Sequence, residues 1–217
     1  MRSLRVVRLG LVSYGEGLER QEALVRAHHE GHGTDTLLLL EHEPVITLGR
    51  DGKRDNVLHS DEDLRSRGVA LVETDRGGDA TFHGPGQLVA YPILDLRPDW
   101  QDLRRFVGGL ERTMIDTLSE YGLEAAPLSG FPGVWLSEPD RKIGAIGARV
   151  RRWITNHGLA LNVNTDLDYF SLIVPCGIRD RGVTSIAREL GGAVDLDAVG
   201  NQVAEHLARV FGRTLTE

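Results

Sequence analysis

The run Arg76-Gly-Gly-Asp-Ala-Thr-Phe-His83-Gly-Pro-Gly-Gln87-Leu-Val-Ala-Tyr91-Pro92 decides how the chain is read. Between Arg76 and Gly86 it places four glycines, a proline and a histidine in eleven residues, then passes straight into the apolar segment Leu88–Leu94. Glycines at that density let a backbone approach a ligand closely or take φ > 0, and a loop feeding a strand is where a rigid scaffold presents such a surface. Gly-Pro-Gly alone is ordinary turn punctuation. Arg76, Thr81, His83 and Gln87 add a fixed charge, a hydroxyl, a titratable ring and an amide to the same loop, none of which a turn requires.

Working outward, Leu4–Leu9 predicts a strand. Tyr14–His29, with Leu18, Leu24 and Val25 at helical spacing, predicts an amphipathic helix ending near Gly31. Thr36–Leu40 has the unbroken apolar pattern of a strand covered on both faces, and Val45–Leu48 that of a second short strand. Asp51–Arg67 reads as a loop with one helical turn, and Val69–Glu73 as a strand leading into the Arg76 loop. Beyond it, Asp102 is placed to cap a helix with Phe106, Val107, Leu110, Met114, Ile115, Leu118 and Tyr121 on one face and Gly122 as its terminator. Gly130–Gly133 predicts a turn and Val134–Leu136 a short strand. Lys142–Val150 and Ile154–Val163 predict paired strands around the bend Arg151–Trp153. Thr184–Leu190 predicts a short helix and Asp195–Phe211 a longer one. Strands interleaved with helices give an α/β (α+β) fold, a mixed β-sheet with packed helices. At 217 residues one domain, 1–217, is expected.

Net charge of −7 argues against a nucleic-acid partner, since phosphate binding needs a basic face. No apolar run reaches the roughly 20 residues of a membrane span, and the N-terminus reads as a strand rather than a signal peptide, so a cytoplasmic location is the default and no membrane association is expected. The densest basic run is Arg141, Lys142, Arg149, Arg151 and Arg152. The lone cysteine, Cys176, leaves no intrachain disulfide and no all-protein thiolate metal cage. Only two lysines, Lys53 and Lys142, stand among 25 basic residues, and of the two basic types only lysine can be brought to neutrality and move a proton.

The pattern Arg-Gly-Gly-x-x-Thr-aromatic-His-x-x-Gly-Gln-x-x-x-Tyr-Pro resembles the signature of the lipoyl(octanoyl) transferases, with every position filled. The resemblance extends to Leu40-Glu-His-Glu-Pro-Val-Ile-Thr-Leu-Gly-Arg50, Arg141-Lys142-Ile-Gly-Ala-Ile-Gly147, His157-Gly-Leu-Ala-Leu-Asn162 and Ile173-Val-Pro-Cys176-Gly-Ile. It implies a fold similar to the catalytic domain of biotin– and lipoate–protein ligases. It also implies transfer of an octanoyl group from octanoyl-acyl carrier protein to a lysine of the lipoyl domains of lipoate-dependent enzyme complexes, without ATP, metal or other cofactor. Residue by residue, Cys176 aligns with the family's acyl-thioester nucleophile and Lys142 with the lysine that lowers its pKa. The segments Arg76, Gly77, Gly78, Asp79, Ala80, Thr81, Phe82 and His83, then Ala145, Ile146 and Gly147, then Gly158, Leu159 and Ala160, align with those that contact the acyl substrate. The small residues Gly77, Gly78, Ala145, Gly147, Gly158 and Ala160 are expected to leave room for an eight-carbon chain.

The residues themselves allow that chemistry. Pro175 and Gly177 favour a sharp turn that presents the Cys176 sulfur at an edge. An unperturbed thiol is only about 3% thiolate at pH 7, so a nearby cation raises the reactive fraction. A solvated surface position is the other reading of Lys142, and a small core residue the other reading of a lone cysteine. An ATP-dependent lipoate ligase and a non-catalytic binder of lipoyl domains or carrier protein are the competing functions. Among the histidines, His28, His29 and His32 are expected to meet helix carbonyls or solvent, and His59 and His206 to lie on the surface, whereas His83 and His157 lie in the motifs. Asp79 is expected to face solvent or pair with an arginine. Arg141, Arg149, Arg151 and Arg152 are the candidate docking surface for acidic carrier and lipoyl domains.

Overall fold

A computed structural model of the chain describes residues 2–174 and 181–216. Strand β1 (Arg2–Val12) runs parallel to β2 (Thr36–His42), and the crossover between them is helix α1 (Tyr14–His29). The chain then leaves this sheet for a small one. Strand β3 (Val45–Leu48) is followed by a 3₁₀ turn at Arg54–Asn56 and helix α2 (Asp61–Ser66). Strand β4 (Ala70–Glu73) then pairs parallel with β3, and β5 (Ala80–His83) pairs antiparallel on its other side. Strand β6 (Gln87–Ile93) returns to the large sheet, antiparallel to β2. After helix α3 (Leu103–Ser119), strands β7 (Ala125–Leu128), β8 (Phe131–Leu136), β9 (Arg141–Arg151) and β10 (Ile154–Asn162) form an antiparallel meander whose last strand docks on β6. A 3₁₀ segment spans Leu167–Leu172. The two-residue β11 (Gly182–Val183) adds parallel to the start of β9, and α4 (Ile186–Leu190) and α5 (Leu196–Val210) lead to β12 (Arg213–Thr216), parallel to β1 at the far edge. Among the described residues the large sheet therefore runs β12-β1-β2-β6-β10-β9-β8-β7, and the small one β4-β3-β5.

Alternation along the central strands explains why both faces are covered. Leu37, Leu39, Leu88 and Ala90 pack with Phe106, Leu110 and Met114 of α3 and Val199, Val203 and Leu207 of α5. Their neighbours Leu38, Leu40, Val89, Tyr91 and Ile93 pack with Leu24 and Val25 of α1. Successive side chains of a strand point to opposite faces, so a run apolar at every position needs helices on both. A third core, with Ile46, Leu48, Leu64 and Phe82, lies under the small sheet, where the Phe82 ring stacks on Tyr169 at 4.6 Å.

The helix limits follow from local chemistry. Ser13 and Glu16 form a reciprocal capping box that starts α1 at Tyr14. The Asp102 carboxylate accepts from the amides of Arg104 and Arg105 at the start of α3. None of the helices of the described residues is long and apolar enough to cross a membrane.

Three features of the structure depart from the sequence expectations or were left unread in them. Ala80–His83 is a strand, not part of one long loop, because its alternation of buried Ala80 and Phe82 with cavity-facing neighbours is masked in sequence by the surrounding glycines. Ala-Ala-Pro-Leu of β7 and Arg-Thr-Leu-Thr of β12 are strands at the two edges of the sheet, where proline and largely exposed residues are tolerated and leave no apolar signal. His206 is buried rather than on the surface, and His28, expected to meet helix carbonyls or solvent, is buried beside Asp35. His28 Nε2 lies 3.9 Å from Asp35 Oδ1, at the point where Asp35 also binds Arg2 of β1 and Arg213 of β12 and ties the edge strand β12 and its neighbour to the core. His206 Nε2 lies 2.5 Å from Glu120 Oε1, beyond the end of α3.

Candidate active site

The two sheets meet where β5 passes into β6, and the sequence explains the joint. Gly84 O accepts from Gln87 N at 3.1 Å, with Pro85 and Gly86 between them and Gly86 at φ +80°. This is the arrangement of a type II turn, which favours proline at its second position and requires a positive φ at its third. The turn sets Thr81 and His83 of the small sheet and Gln87 and Tyr91 of the large one around a cavity of about 480 Å³. That volume is within the range of small-molecule sites.

Arg76 forms one wall. Its guanidinium is buried and donates to Thr47 Oγ1 (3.0 and 2.8 Å), Thr47 O (2.7 Å), Asp79 O (2.7 Å) and Gly77 O (3.0 Å). Those bonds to β3 and to its own loop fix the Arg76–Asp79 segment against Gly49, whose missing side chain matters: a Cβ there would sit 2.2 Å from Gly78 O. Lys142 lines the same cavity from β9. It is only 7% exposed, and its ammonium lies 5.0 Å from the centre of the Trp135 ring, a cation–π contact.

A cluster of rings fills the space beneath. Tyr14, the first residue of α1, stacks on His83 at 6.4 Å and tilts on His42 at 5.1 Å; His42 in turn meets His83 and Tyr91, each at 5.8 Å. Val12 O can only accept, so His42 Nδ1 donates to it (3.2 Å) and His42 Nε2 accepts from the Tyr91 hydroxyl (2.8 Å). Burial pushes the His42 pKa down to about 4 and holds the Tyr91 phenol well above its ordinary value. His83 is pushed down to about 3, by burial first and then by the neighbouring His42, Arg76 and His157. His157 sits at φ +57°, with its amide donating to Gln21 Oε1 at 2.8 Å and its Nε2 3.0 Å from Asp75 Oδ1. A carboxylate that close favours imidazolium, yet Asp75 is also paired to Arg149. Burial, with the Arg76 and Arg149 charges, outweighs it and brings His157 to about 4.

Of the residues singled out in the sequence, Arg76, Gly77, Gly78, Asp79, Thr81, His83, Lys142, Ala145, Ile146, Gly147, Gly158, Leu159 and Ala160 all line this one cavity. Ala80 and Phe82 do not: they occupy the opposite face of β5 and belong to the small-sheet core. Cys176 lies outside the described residues. The expectation that glycines leave room for the ligand is corrected at two positions. A Cβ on Gly158 would lie 2.2 Å from Ala90 O, and one on Gly147 would lie 2.8 Å from Arg76 Cδ, so neighbouring protein atoms already fill those spaces. The Asp79 carboxylate meets neither solvent alone nor an arginine; it accepts from Lys53 N at 3.2 Å and from the Asn56 side-chain amide. No role was assigned from sequence to Tyr14 or Gln21, both of α1, nor to His42 and Tyr91, although these two stand in the Leu40–Arg50 and Arg76–Pro92 runs. The Ser13-x-x-Glu16 capping box is the local signal that could have fixed Tyr14 at the start of α1, and it went unread. Among the described residues no group of three or more His, Cys, Asp or Glu side chains is arranged to hold a metal ion.

This mixed sheet with its packed helices has the fold of lipoate and biotin ligase catalytic domains. An archaeal lipoylation structure, the bi-partite lipoate protein ligase and its lipoyl domain from Thermoplasma acidophilum, matches with a TM-score of 0.75 at 19% identity, over 100% of this chain and 86% of that one. Biotin protein ligase from Aquifex aeolicus matches with a TM-score of 0.59 at 16% identity, over 96% of this chain and 70% of that one.

Sequence comparison narrows the class. The model of the lipoyl protein ligase A/B catalytic domain matches residues 13–208. An octanoyltransferase from Solibacter usitatus is 51% identical over 212 residues, covering 97% of this chain and 94% of that protein. One from Myxococcus xanthus is 49% identical over 215 residues, covering 97% of this chain; this chain spans 60% of that protein's length. The chain belongs to the lipoyl protein ligase A/B catalytic domain family and, within it, to the octanoyltransferases.

Proposed function

We propose that the chain, as one catalytic domain, moves an octanoyl group from octanoyl-acyl carrier protein, through a thioester on Cys176, to the lysine amine of a lipoyl domain in the cytoplasm. The observation that carries this reading is the shared cavity, in which Lys142 opens onto the same space as the Arg76 loop and the Ala145–Gly147 and Gly158–Ala160 segments. Phe170 and Val183, on either side of the Cys176 segment in sequence, line it too. Val174 N bonds Asn56 O at 2.7 Å and Thr184 N bonds Lys142 O at 2.9 Å, so both flanks of that segment are anchored to cavity-bordering strands and loops.

In the first half-reaction the Cys176 thiolate attacks the donor thioester carbonyl, a new carbon–sulfur bond forms, and the carrier's thiolate leaves, taking a proton from the Lys142 ammonium. In the second the neutral lysine amine attacks the enzyme thioester, the tetrahedral adduct expels the Cys176 thiolate, and the amine's surplus proton passes to the now neutral Lys142, restoring the starting charges. A thioester carries the free energy for the amide, so no nucleotide enters. The test is transfer of octanoyl from carrier protein to a lipoyl domain in nucleotide-free buffer. Transfer by the wild type and none by Cys176→Ser supports the reading; a strict requirement for ATP would replace it with ligase chemistry.

A further inference from the structure

Beneath the cavity a chain of buried amides links His83 to the strand that carries Lys142. His83 Nδ1 lies 2.7 Å from Gln87 Oε1; Gln87 Nε2 donates to Phe82 O (3.2 Å) and to Asn162 Oδ1 (2.9 Å); Asn162 Nδ2 donates to Thr184 O (3.0 Å); Thr184 N donates to Lys142 O (2.9 Å). His83, Gln87, Asn162 and Thr184 are all buried.

The protons in this chain are fixed from its ends. Thr184 O and Phe82 O are backbone carbonyls and can only accept. Asn162 must therefore turn its NH₂ to Thr184 and its oxygen to Gln87, and Gln87 must turn its NH₂ to Phe82 and Asn162 and its oxygen to His83. An amide oxygen only accepts, so the imidazole proton sits on Nδ1, and Nε2 of this cavity-lining ring keeps its lone pair. The two amide orientations are each forced by two neighbours and the imidazole proton by Gln87, and reversing any one would set two donors or two acceptors face to face in a buried site, at the cost of unmade hydrogen bonds.

We propose that Gln87 and Asn162 are positioning residues that lock His83 as the Nδ1–H tautomer, presenting Nε2 to the cavity as an acceptor, and that they hold this ring in register with Lys142 through Thr184. The inference rests on the acyl-transfer reading for its kinetic consequence only. With Nε2 unprotonated, His83 accepts a hydrogen bond from a donor such as the incoming lysine amine and supplies none to a developing oxyanion, which must be stabilised by other groups. The low His83 pKa agrees with this, since burial keeps the ring neutral around pH 7.

The test begins with the unaltered protein. Nitrogen-15 NMR of histidine-labelled enzyme should show the His83 proton on Nδ1 alone; a proton on Nε2 would overturn the inference. Gln87→Leu removes the acceptor, and should release the tautomer and lower kcat by ~10- to 100-fold with KM for the acyl donor changed much less, as expected when the geometry of reacting groups is loosened. Asn162→Ser is the milder variant, too short to bridge Gln87 and Thr184, and should shift the same two readouts by a smaller factor. Variants that lower only the melting temperature, with tautomer and kcat unmoved, would reduce the chain of amides to packing and overturn the positioning role. The NMR readout needs no acyl substrate. A protein that shows Nδ1–H yet transfers no octanoyl would therefore sink the proposed function while supporting the locked tautomer.

Discussion

The Arg76 guanidinium and Thr47 share three hydrogen bonds, two to the hydroxyl and one to the carbonyl, at 2.7–3.0 Å. Thr47 lies in the middle of β3 and is fully buried, so the small sheet itself aims Arg76 along the cavity wall. Thr47→Val preserves shape and removes the hydroxyl, which takes one acceptor from Arg76 Nε and one from Nη2, while Nη2 keeps the carbonyls of residue 47 and Asp79. The expected cost is about 1–3 kcal/mol of stability, read as a lower urea midpoint, with acyl transfer impaired in the variant that remains folded. An unchanged midpoint would mean that the hydroxyl contributes nothing to holding Arg76.

The buried imidazoles set an acid limit on stability. His42 and His157 titrate at about 4 and His83 at about 3 when folded, against 6.5 in an unfolded chain. Between these values the unfolded chain binds more protons, so stability is complete above pH 6.5 and is lost as pH falls toward 4, at roughly 1.4 kcal/mol per pH unit for each fully engaged histidine. Carboxylates titrate mostly below this range, so unfolding midpoints measured from pH 7 to pH 5 isolate the histidines. A flat profile there would contradict the buried neutral cluster, and His157→Gln should make the profile shallower.

Two glycines separate fold from site. Gly158→Ala drives a methyl into the Ala90 carbonyl and Pro92, backbone and ring atoms that cannot move aside, and should cost roughly 1–3 kcal/mol or more by opening the β10–β6 contact. Gly147→Ala clashes with the Arg76 side chain alone, at 2.8 Å from Cδ, and reaches Gly77 O at an ordinary contact distance of 3.4 Å, so it should displace the guanidinium and reduce transfer while shifting the melting temperature much less. Equal thermal shifts in the two variants would show that Arg76 is as rigid as backbone.

The basic run on β9 is not one patch. Arg141 forms a two-bond pair with Glu189 and Arg149 is paired with Asp75, which leaves Arg151 and Arg152 exposed at the β9–β10 hairpin. Reversing Arg151 and Arg152 together to glutamate should weaken binding to an acidic carrier protein, most clearly at low salt, with the melting temperature unchanged. Arg141→Ala should do the opposite, lowering the melting temperature with little effect on carrier affinity. Unchanged affinity in the double variant would place docking elsewhere.

Much of this was legible in the sequence because the determinants are local. Ser13 and Glu16 mark the start of α1, Asp102 and Gly122 bracket α3, and the Arg76–Tyr91 run holds the turn and the side chains of the cavity wall together. What escaped depends on long-range placement. Tyr14, His42 and Tyr91 lie on three elements, and their convergence exists only after β2 and β6 pair and α1 lies across them. Ala80 and Phe82 share a motif with Thr81 and His83, but strand alternation sends them to the other side. Asp75 sits beside Arg76 in sequence and still passed unnoticed, because nothing local shows that it bridges Arg149 and His157.

The most direct measurement of the central claim is an intact-mass spectrum of the enzyme after incubation with octanoyl-carrier protein alone, without nucleotide or metal. One added octanoyl group, lost on hydroxylamine treatment and absent from Cys176→Ser, is the predicted result, and Lys142→Arg should then separate charge from proton transfer by keeping alkylation of the thiol while losing delivery to the lipoyl domain. An octanoyl group on any other residue, or transfer at full rate by Cys176→Ala, would contradict the account.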